Sequence, residues 1–312
     1  FYPDNPQNYQ ISQLYLPICR NGSVEIETAA GKKKVRIHEI HMEEDAGKLV
    51  HDEWEDVSIV DFNRSGVPLI EIVSEPDMRS AEEVIAYLET LRQTIQYLGA
   101  SDCKLNEGSM RADVNLSVRE VGSKKFGTRT EMKNLNSFKA IAHAIEGERE
   151  RQIELLEMGR KVVQETRRFD DVSGKTFAMR NKETEADYRY FPDANLMPIV
   201  IDDEWLEEIK ANKPVAVDEK AEQYREYGIS EKEIDMLISN HKIAKMLDDI
   251  IAMGCNPKDT AAWILTDCAG ILRKDGKTLG ELEITADELS AIIKMVDEGK
   301  INRISGKKVL IA

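Results

Sequence analysis

Short segments that alternate apolar and polar residues dominate the first part of the chain. SVEIET (23–28) and KVRIHEI (34–40) flank AAGKK, an arrangement that is typical of a β-hairpin. VPLIEIV (67–73) is mostly apolar and rich in β-branched residues, which indicates a buried strand. ADVNLSV (112–118) alternates strictly, and FGTRTEMK (126–133) is a further candidate strand. The pattern therefore predicts a β-sheet in this part of the chain.

Two longer segments in the same part have the spacing of amphipathic helices. The stretch from Ser80 to Leu98 begins with a capping box of Ser80 and Glu83 and then repeats apolar residues at helical spacing. A second helix is predicted from Ser137 to Glu157. Strands combined with helices in this way predict an α+β fold, in which helices cover one side of an antiparallel sheet.

The pattern changes beyond Pro198 and Pro214. Helical periodicity then dominates, and glycines separate the predicted helices, which cover residues 218–227, 231–238, 244–253, 257–272 and 286–298. The sequence therefore predicts two domains, an α+β domain over residues 1–213 and an all-α domain over residues 214–312.

Composition limits the classes of protein that need to be considered. The 312 residues are 41% hydrophobic and 32% charged, as in an ordinary globular protein. No apolar run approaches the roughly 20 residues of a membrane span. The four cysteines are widely spaced, which favours reduced thiols in a cytoplasmic protein over a disulfide framework or a zinc knuckle. Because the first residue is Phe1, we expect the chain to be a fragment of a longer protein.

The charge is negative overall but unevenly distributed. A formal net charge of −15 argues against a protein that binds nucleic acid over its whole surface. Residues 124–182, however, contain 14 Lys and Arg against 9 Asp and Glu, an excess of 5 positive charges. A limited anionic partner would fit this region, although a solvated helix face of mixed charge is the commoner meaning of such a count.

Acidic side chains inside the predicted strands indicate the chemistry. Glu71 lies in the middle of VPLIEIV, where an ionised carboxylate loses hydration and needs a proton, a base or a metal ion. Asp113 and Glu131 raise the same question on other strands, and HMEEDAGK (41–48) adds more carboxylates. Together they would form the oxygen-rich ligand set that Mg²⁺ requires. An edge strand that faces water and a polar loop at 41–48 would explain the same residues without a metal ion.

Basic residues near these acids suggest how an anion would bind. Arg129 and Lys133 share a strand face with Glu131, so they are placed either to bind phosphate oxygens or to form ion pairs with that glutamate. His41 is a candidate ligand, but a single histidine at a strand end is more often structural. Gly47 and Lys48 lack the frame of a P-loop, so that route to phosphate binding is excluded.

Seven ordered strings resemble one known family. They are FYPDNPQNYQISQ, HMEEDAGK, DFNRSGVPLIEIVSEPD, NEGSMRADVNLS, EMKNLNSF, QETRRFD and DYRYFPD. In this order, over roughly residues 1 to 200, they resemble the B subunit of the tRNA-dependent Asp/Glu-tRNA(Asn/Gln) amidotransferases, the GatB family. AAWILTD and ITADELSAIIKMVDEGKI resemble the helical part of that protein more loosely, with Ala262 where the family usually has Asn.

The resemblance implies a fold and an activity. The fold is a glutamine-synthetase-like antiparallel-sheet cradle followed by an all-α helical domain. In that family the cradle uses ATP and Mg²⁺ to phosphorylate the side-chain carboxylate of Glu-tRNA(Gln) or Asp-tRNA(Asn). Ammonia from the glutaminase activity of the amidase (A) subunit then displaces the phosphate, and a small C subunit completes a heterotrimer. The resemblance thus implies a cytoplasmic ligase that takes part in protein biosynthesis.

The resemblance also implies roles for individual residues. Glu44, Glu71 and Asp113 match positions of the family's metal-binding carboxylates and are expected to take part in catalysis. Other residues in the family's motifs are Glu43 and Glu107 as metal ligands, Glu131 and Lys133 as catalytic residues, and Arg189 as a phosphate or substrate contact. The shared strand face, and not the resemblance, adds Arg129 beside Lys133 as a contact of the nucleotide.

The chain departs from the family's pattern at both ends. We expect the chain to lack the family's opening strand, which carries a further Glu and His, together with a zinc-binding cysteine region and a C-terminal tail domain that helps to select tRNA. Such a fragment would fold in part without full kinase activity.

Two rival functions remain open. One is a carboxylate–amine ligase that acts on a free amino acid, and the other is a non-catalytic scaffold for the amidase subunit and tRNA.

Overall fold

The protein divides into two compact units. The structure, a computed structural model, describes residues 2–52, 54–170, 173–181, 190–274 and 276–311, without the side chains of residues 180 and 181. The first unit comprises residues 1–91 and 104–201, and the second comprises residues 92–103 and 202–312. Strands and helices combine in the first unit and helices build the second, so the predicted α+β class is confirmed.

The longest strands of the first unit form an antiparallel sheet of three strands. Their order in the sheet is β1 (Cys19–Thr28), β2 (Gly31–Glu44) and β5 (Pro68–Ser74). Strand β2 continues through HMEE, which is therefore part of a strand and not of a polar loop. As a result, His41 on β2 lies directly opposite Glu71 on β5.

The chain between β2 and β5 forms a separate two-stranded hairpin. It consists of β3 (Lys48–His51) and β4 (Ser58–Asp61), which pair antiparallel. Gly47 leads into this hairpin under close constraint, because a Cβ there would lie 2.8 Å from the Asp61 carbonyl oxygen and 2.9 Å from that of Asp4.

Four shorter strands form a mixed sheet. Their order is β6 (Val114–Leu116), β7 (Thr130–Lys133), β8 (Glu165–Asp170) and β9 (Lys175–Asn181). The prediction of a wholly antiparallel sheet is wrong at one pair, because β7 and β8 run parallel. The physical reason lies in their connection, since the helix that follows β7 carries the chain back before β8 begins, as parallel strands require.

Two helices contribute to the apolar core of the first unit, the earlier one through its residues up to Leu91. Helix α1 (Ala81–Tyr97) and helix α2 (Phe138–Glu157) match the predicted segments, and Ser137 caps α2 by accepting a hydrogen bond from the backbone N–H of Ala140. The buried cluster includes Ile26 and Val35 from the first sheet, Met132 from the second, and Leu88 and Ile141 from the helices.

The second unit is a set of short helices around its own core. The α-helices that follow residue 202 are α3 (Asp203–Ala211), α4 (Val217–Glu226), α5 (Glu231–Ile238), α6 (His241–Ala252), α7 (Pro257–Ala262), α8 (Ala269–Lys274), α9 (Ala286–Asp297) and α10 (Arg303–Val309). A π-helical segment, Trp263–Cys268, joins α7 to α8 where one continuous helix was predicted. The predicted domain boundary at residue 213 stays a prediction. Within the described ranges, none of the helices combines the length and apolar character that crossing a membrane needs.

A buried carboxylate beneath the mixed sheet ties three of its strands to α2. Glu148 is fully buried and accepts hydrogen bonds from Thr130 Oγ1 on β7 at 2.8 Å and from Thr176 Oγ1 on β9 at 2.6 Å. Its other partners are Gln152 Nε2, which donates at 3.0 Å, Arg151 at 2.6 Å and Arg167 of β8 at 3.3 Å. Although burial opposes ionisation, these donors lower the pKa of Glu148 to about 2.

We therefore predict that Glu148→Gln destabilises the fold at neutral pH by about 3 kcal/mol, the cost that corresponds to its lowered pKa. Because the folded-state pKa lies below the unfolded value, this stability is present above about pH 4.5 and is lost as the pH falls towards 2. Denaturant unfolding at several pH values measures both effects.

Glu146→Gln is the matched control for this prediction. Glu146 lies on the same helix, but it is half exposed and pairs only with Arg149 within the described residues. Its substitution should cost about 0.5 kcal/mol or less. Equal destabilisation by the two substitutions would contradict the role assigned to Glu148.

Candidate active site

A histidine and two glutamates converge where β2 pairs with β5. His41 Nε2 lies 3.2 Å from Glu43 Oε1 and 3.5 Å from Glu71 Oε2. One ligand atom from each of the three residues lies within 4.8 Å of the others. The period of the strands explains the arrangement, because His41 and Glu43 are two residues apart on β2 and Glu71 faces His41 across the pair.

The imidazole of His41 is buried and incompletely bonded. Its residue is 8% exposed, and Nδ1 has no hydrogen-bond partner among the described residues. The nearest carboxylate to Nδ1 is that of Glu39, 3.7 Å away, which is beyond hydrogen-bond distance. A buried ring nitrogen without a partner is costly, so this atom is available to a ligand.

Negative charge is concentrated around Glu71. Loss of hydration raises the pKa of Glu71, and the Glu43 and Asp113 carboxylates raise it further, whereas His41 and Lys133 oppose the shift. The Glu71 side chain nevertheless remains 53% exposed, so the carboxylate is accessible from solvent. A cation that bound here would relieve the repulsion that raises this pKa.

The mixed sheet contributes the other side of the site. Asp113 immediately precedes β6, and its carboxylate accepts a hydrogen bond from Lys133 Nζ at the end of β7. Lys133 Nζ also lies 3.8 Å from Glu131 Oε1, and Thr166 Oγ1 on β8 donates to Glu131 Oε2 at 3.0 Å. Glu131 and Lys133 share one strand face because they are two residues apart, while Thr130 and Met132 are buried on the other.

A separate ion pair connects the two sides. Asp45 follows β2 and is 3% exposed, and both of its carboxylate oxygens lie 2.6 Å from Arg111 Nη2. Arg64 also binds Asp45, at 2.8 Å, and donates to the Gly108 carbonyl oxygen at 2.8 Å. Asp45 is two residues after Glu43 and Arg111 is two residues before Asp113, so this pair sets how closely the two acidic segments approach.

The structure does not bring Glu44 into the cluster of His41, Glu43 and Glu71. Its backbone pairs with Pro68, and its carboxylate accepts hydrogen bonds from the Ile11 N–H at 3.2 Å and from the Gln7 side chain. Adjacent residues of a strand point to opposite faces, so Glu43 and Glu44 cannot both face Glu71. The structure thus places Glu43, and not Glu44, beside His41 and Glu71, and the metal-binding role of Glu44 stays a prediction. Ser12 Oγ donates a hydrogen bond to Glu43 Oε1 at 2.7 Å.

Two other predicted residues, Glu107 and Arg129, do not join the cluster. Glu107 is exposed and pairs with Lys104 at 3.0 Å in the turn that precedes β6. Arg129 is exposed immediately before β7, and no carboxylate of the described residues lies within ion-pair distance of it. Arg189 lies outside the described residues. Of the predicted set, Glu43, Glu71, Asp113, Glu131 and Lys133 are close neighbours.

Several residues of the site are hard to find in the sequence. His41 alone is typical of a structural histidine, although its spacing of two from Glu43 on a long strand is a usable signal. Thr166 and Ser12 carry no such signal, because they come from segments far along the chain from the glutamates they bind. The partner of Asp45 is equally hidden, since Arg111 lies 66 residues away.

The donor set fits a divalent cation. Carboxylate oxygens of Glu43 and Glu71 are ligands that Mg²⁺ and Mn²⁺ accept, and a neutral imidazole adds a nitrogen ligand. The half-exposed carboxylate of Asp113 lies near the same group. The convergence of His41 Nε2 with the Glu43 and Glu71 carboxylates and the raised pKa of Glu71 are the two observations that favour such an ion here.

Comparison with known proteins covers both units. Residues 1–207 match the family model of the GatB/GatE catalytic domain, and residues 245–312 match that of the GatB domain. The B subunit of an aspartyl/glutamyl-tRNA(Asn/Gln) amidotransferase from Agathobacter rectalis is 67% identical over 310 residues. Proteins of the same name from Lachnoclostridium phytofermentans and Geobacillus kaustophilus are 57% and 47% identical. In all three comparisons the match covers 99% of this chain and 65% of the relative's length.

We predict opposite shifts of the Glu71 pKa in two variants. Asp113→Asn removes a neighbouring negative charge and should lower it, whereas Lys133→Met removes a positive charge and should raise it. Titration of ¹³C-labelled glutamate carboxyls by NMR measures both. Glu107→Gln is the control and should leave the value unchanged, while shifts of one sign in both variants would contradict the geometry.

Proposed function

The chain belongs to the GatB/GatE family, and from this premise we propose that it activates the side-chain carboxylate of an aminoacyl-tRNA with ATP. The relatives are named for aspartyl/glutamyl-tRNA(Asn/Gln), so the proposed substrates are Glu-tRNA(Gln) and Asp-tRNA(Asn). The observation that supports this proposal best is the convergence of β2, β5 and the β6–β7 pair on Glu71, within the region that matches the catalytic-domain model.

The acidic cluster would hold Mg²⁺ beside the nucleotide. His41, Glu43 and Glu71 are the residues that would hold it, and Asp113 is their neighbour. When bound, Mg²⁺ supplies charge neutralisation for the phosphate oxygens of ATP. Glu39 would support the site by its position near His41, and Ser12 by its hydrogen bond to Glu43.

Lys133 is the residue best placed to contact the transferred phosphate. The Lys133 ammonium group lies between the Asp113 and Glu131 carboxylates, which hold it in position. Lys133 stays on the same face of the sheet as Glu131. The proposed transfer forms a bond between a side-chain carboxylate oxygen and the γ-phosphorus while the bond to ADP breaks. Catalysis of this step depends on positioning and charge stabilisation, which Lys133 provides through its fixed donors.

The proposed second step converts the acyl phosphate into an amide. Ammonia attacks the acyl carbon, the carbon–oxygen bond to phosphate breaks, and inorganic phosphate leaves. We propose that an amidase (A) subunit releases this ammonia from glutamine, and that a small C subunit completes a cytoplasmic heterotrimer. The relatives are named as one subunit of an amidotransferase, which supports a multisubunit enzyme.

Dependence of ADP release on the acceptor tests the proposal. The assembled complex with the full-length protein is incubated with ATP and Mg²⁺ under four conditions: with Glu-tRNA(Gln), with Asp-tRNA(Asn), with free glutamate, or without an acceptor. We expect ADP release only with charged tRNA. Release with free glutamate would support a small-molecule ligase, and no release under any condition would support a scaffold.

The two adjacent glutamates of HMEE give a sharper prediction. Glu43→Gln and Glu71→Gln each remove a carboxylate of the cluster, so each should lower tRNA-dependent ADP release by about a hundredfold or more. Glu44→Gln changes a residue outside the cluster and should lower ADP release by less than about tenfold. Glutaminase activity of the partner, measured in the same preparations, shows whether the complex remains assembled. A larger loss with Glu44→Gln than with Glu43→Gln would contradict this assignment.

A further inference from the structure

Four exposed cationic side chains lie on or beside the loop between β6 and β7. Arg119, Lys124 and Lys125 lie on this loop, and Arg79 lies beside it between β5 and α1. Within the described residues, none of the four side chains forms an ion pair within 4.0 Å, although Asp77 and Glu83 are near enough to interact with the charge of Arg79. The loop itself has one acidic residue, Glu120. In a chain with a net charge of −15, this concentration of positive charge indicates an anionic partner.

An exposed aromatic ring lies among these cations. Phe126 is 49% exposed, and the guanidinium carbons of Arg119 and Arg79 lie 4.7 and 6.0 Å from its ring centroid. Both distances are within the range of a cation–π contact. A half-exposed ring flanked by guanidinium groups is a surface on which a nucleic acid base stacks while its phosphates meet the cations.

The loop is held in shape by its own contacts. Arg119 Nη1 donates to the Lys124 carbonyl oxygen at 3.3 Å, and Ser123 Oγ accepts from the Lys125 N–H at 3.2 Å. Gly127 passes so close to Val118 that a Cβ would lie 2.1 Å from the Val118 carbonyl oxygen. A side chain is therefore excluded at residue 127, and the turn that presents Phe126 is specified.

We infer that Arg79, Arg119, Lys124, Lys125 and Phe126 form a docking surface for the single-stranded 3′ end of the RNA substrate. This inference rests on the proposed function, which requires the aminoacyl end to reach Glu71 and Lys133. The surface lies at one end of β6 and Asp113 at the other, and a strand of three residues is roughly 10 Å long. An RNA strand that lies on the surface can therefore deliver its terminal residue to the site.

RNA fits this surface better than an acidic protein segment does. Peptide carboxylates would use the cations, but they leave the ring of Phe126 without a stacking partner. An RNA strand uses both features at once, because each nucleotide has a phosphate and a base. Arg129 is left out of the surface because it immediately precedes β7, the strand that carries Lys133 of the proposed active site.

The test is binding of uncharged tRNA to the assembled complex, measured without ATP by fluorescence anisotropy at several salt concentrations. Lys124→Gln/Lys125→Gln should weaken binding on the order of tenfold and reduce the slope of log K against log salt by about 1.4. Phe126→Ala should weaken binding by about tenfold, and Phe126→Tyr should restore it because a tyrosine ring also stacks. The same variants should bind a tRNA trimmed of its 3′ single strand as the wild type does.

Lys34→Gln/Lys161→Gln is the matched control. Both lysines are exposed in the same unit and have no carboxylate partner among the described residues, so the change in net charge is equal. Equal binding by the wild type and the loop variants would overturn the inference. So would a loss that is the same for trimmed tRNA or for the control. The inference can fail in these ways while the wild-type complex still releases ADP in a tRNA-dependent manner. If the wild-type complex shows no such release, the proposed function itself is refuted.

Discussion

The ion pair between Asp45 and Arg111 is the contact on which the site depends. Like charges at Glu43, Glu71 and Asp113 repel one another, and a protein that holds them together needs an attraction elsewhere. Asp45 supplies it by binding two guanidinium groups just beyond the end of β2. Its carboxylate is buried, so separation from Arg111 and Arg64 would leave an uncompensated charge and cost several kcal/mol. The acidic segments are therefore held together by a contact outside the cluster.

Strand β7 shows how the same site is supported from beneath. Its four residues alternate between Thr130 and Met132 on the buried face and Glu131 and Lys133 on the face of the site. Thr130 binds Glu148, so a polar network fixes the strand on one side while the groups of the site are presented on the other. Hydrogen bonds to an ionised, fully buried carboxylate are directional, and they define the height of β7 above α2 more narrowly than apolar contacts would.

Sequence patterns predicted the elements with long periodic runs and failed where a single turn decides the geometry. The β1–β2 hairpin, α1 and α2 were predicted because alternation or helical spacing persists over many residues. Which of Glu43 and Glu44 faces Glu71 depends instead on whether β2 continues past His41. The sequence was equally compatible with a polar loop at that point. Glu148 was hidden differently, since beside Arg151 on a charged helix it resembles a solvated ion pair. Only the strands that α2 covers make it a buried one.

The chain's overall acidity and an RNA substrate are compatible because electrostatic interactions in salt solution are local. At physiological ionic strength the Debye length is about 8 Å, so exposed charges much farther apart than this hardly interact. Basic groups such as Arg36 and Lys33 are matched, by Asp77 and Glu83 respectively. Lys124 and Lys125 have no such match in the part of the chain that the structure describes, so the potential near the β6–β7 loop follows its own residues rather than the net charge. An acidic surface elsewhere repels RNA from unproductive positions, and the two features together favour binding by the 3′ end.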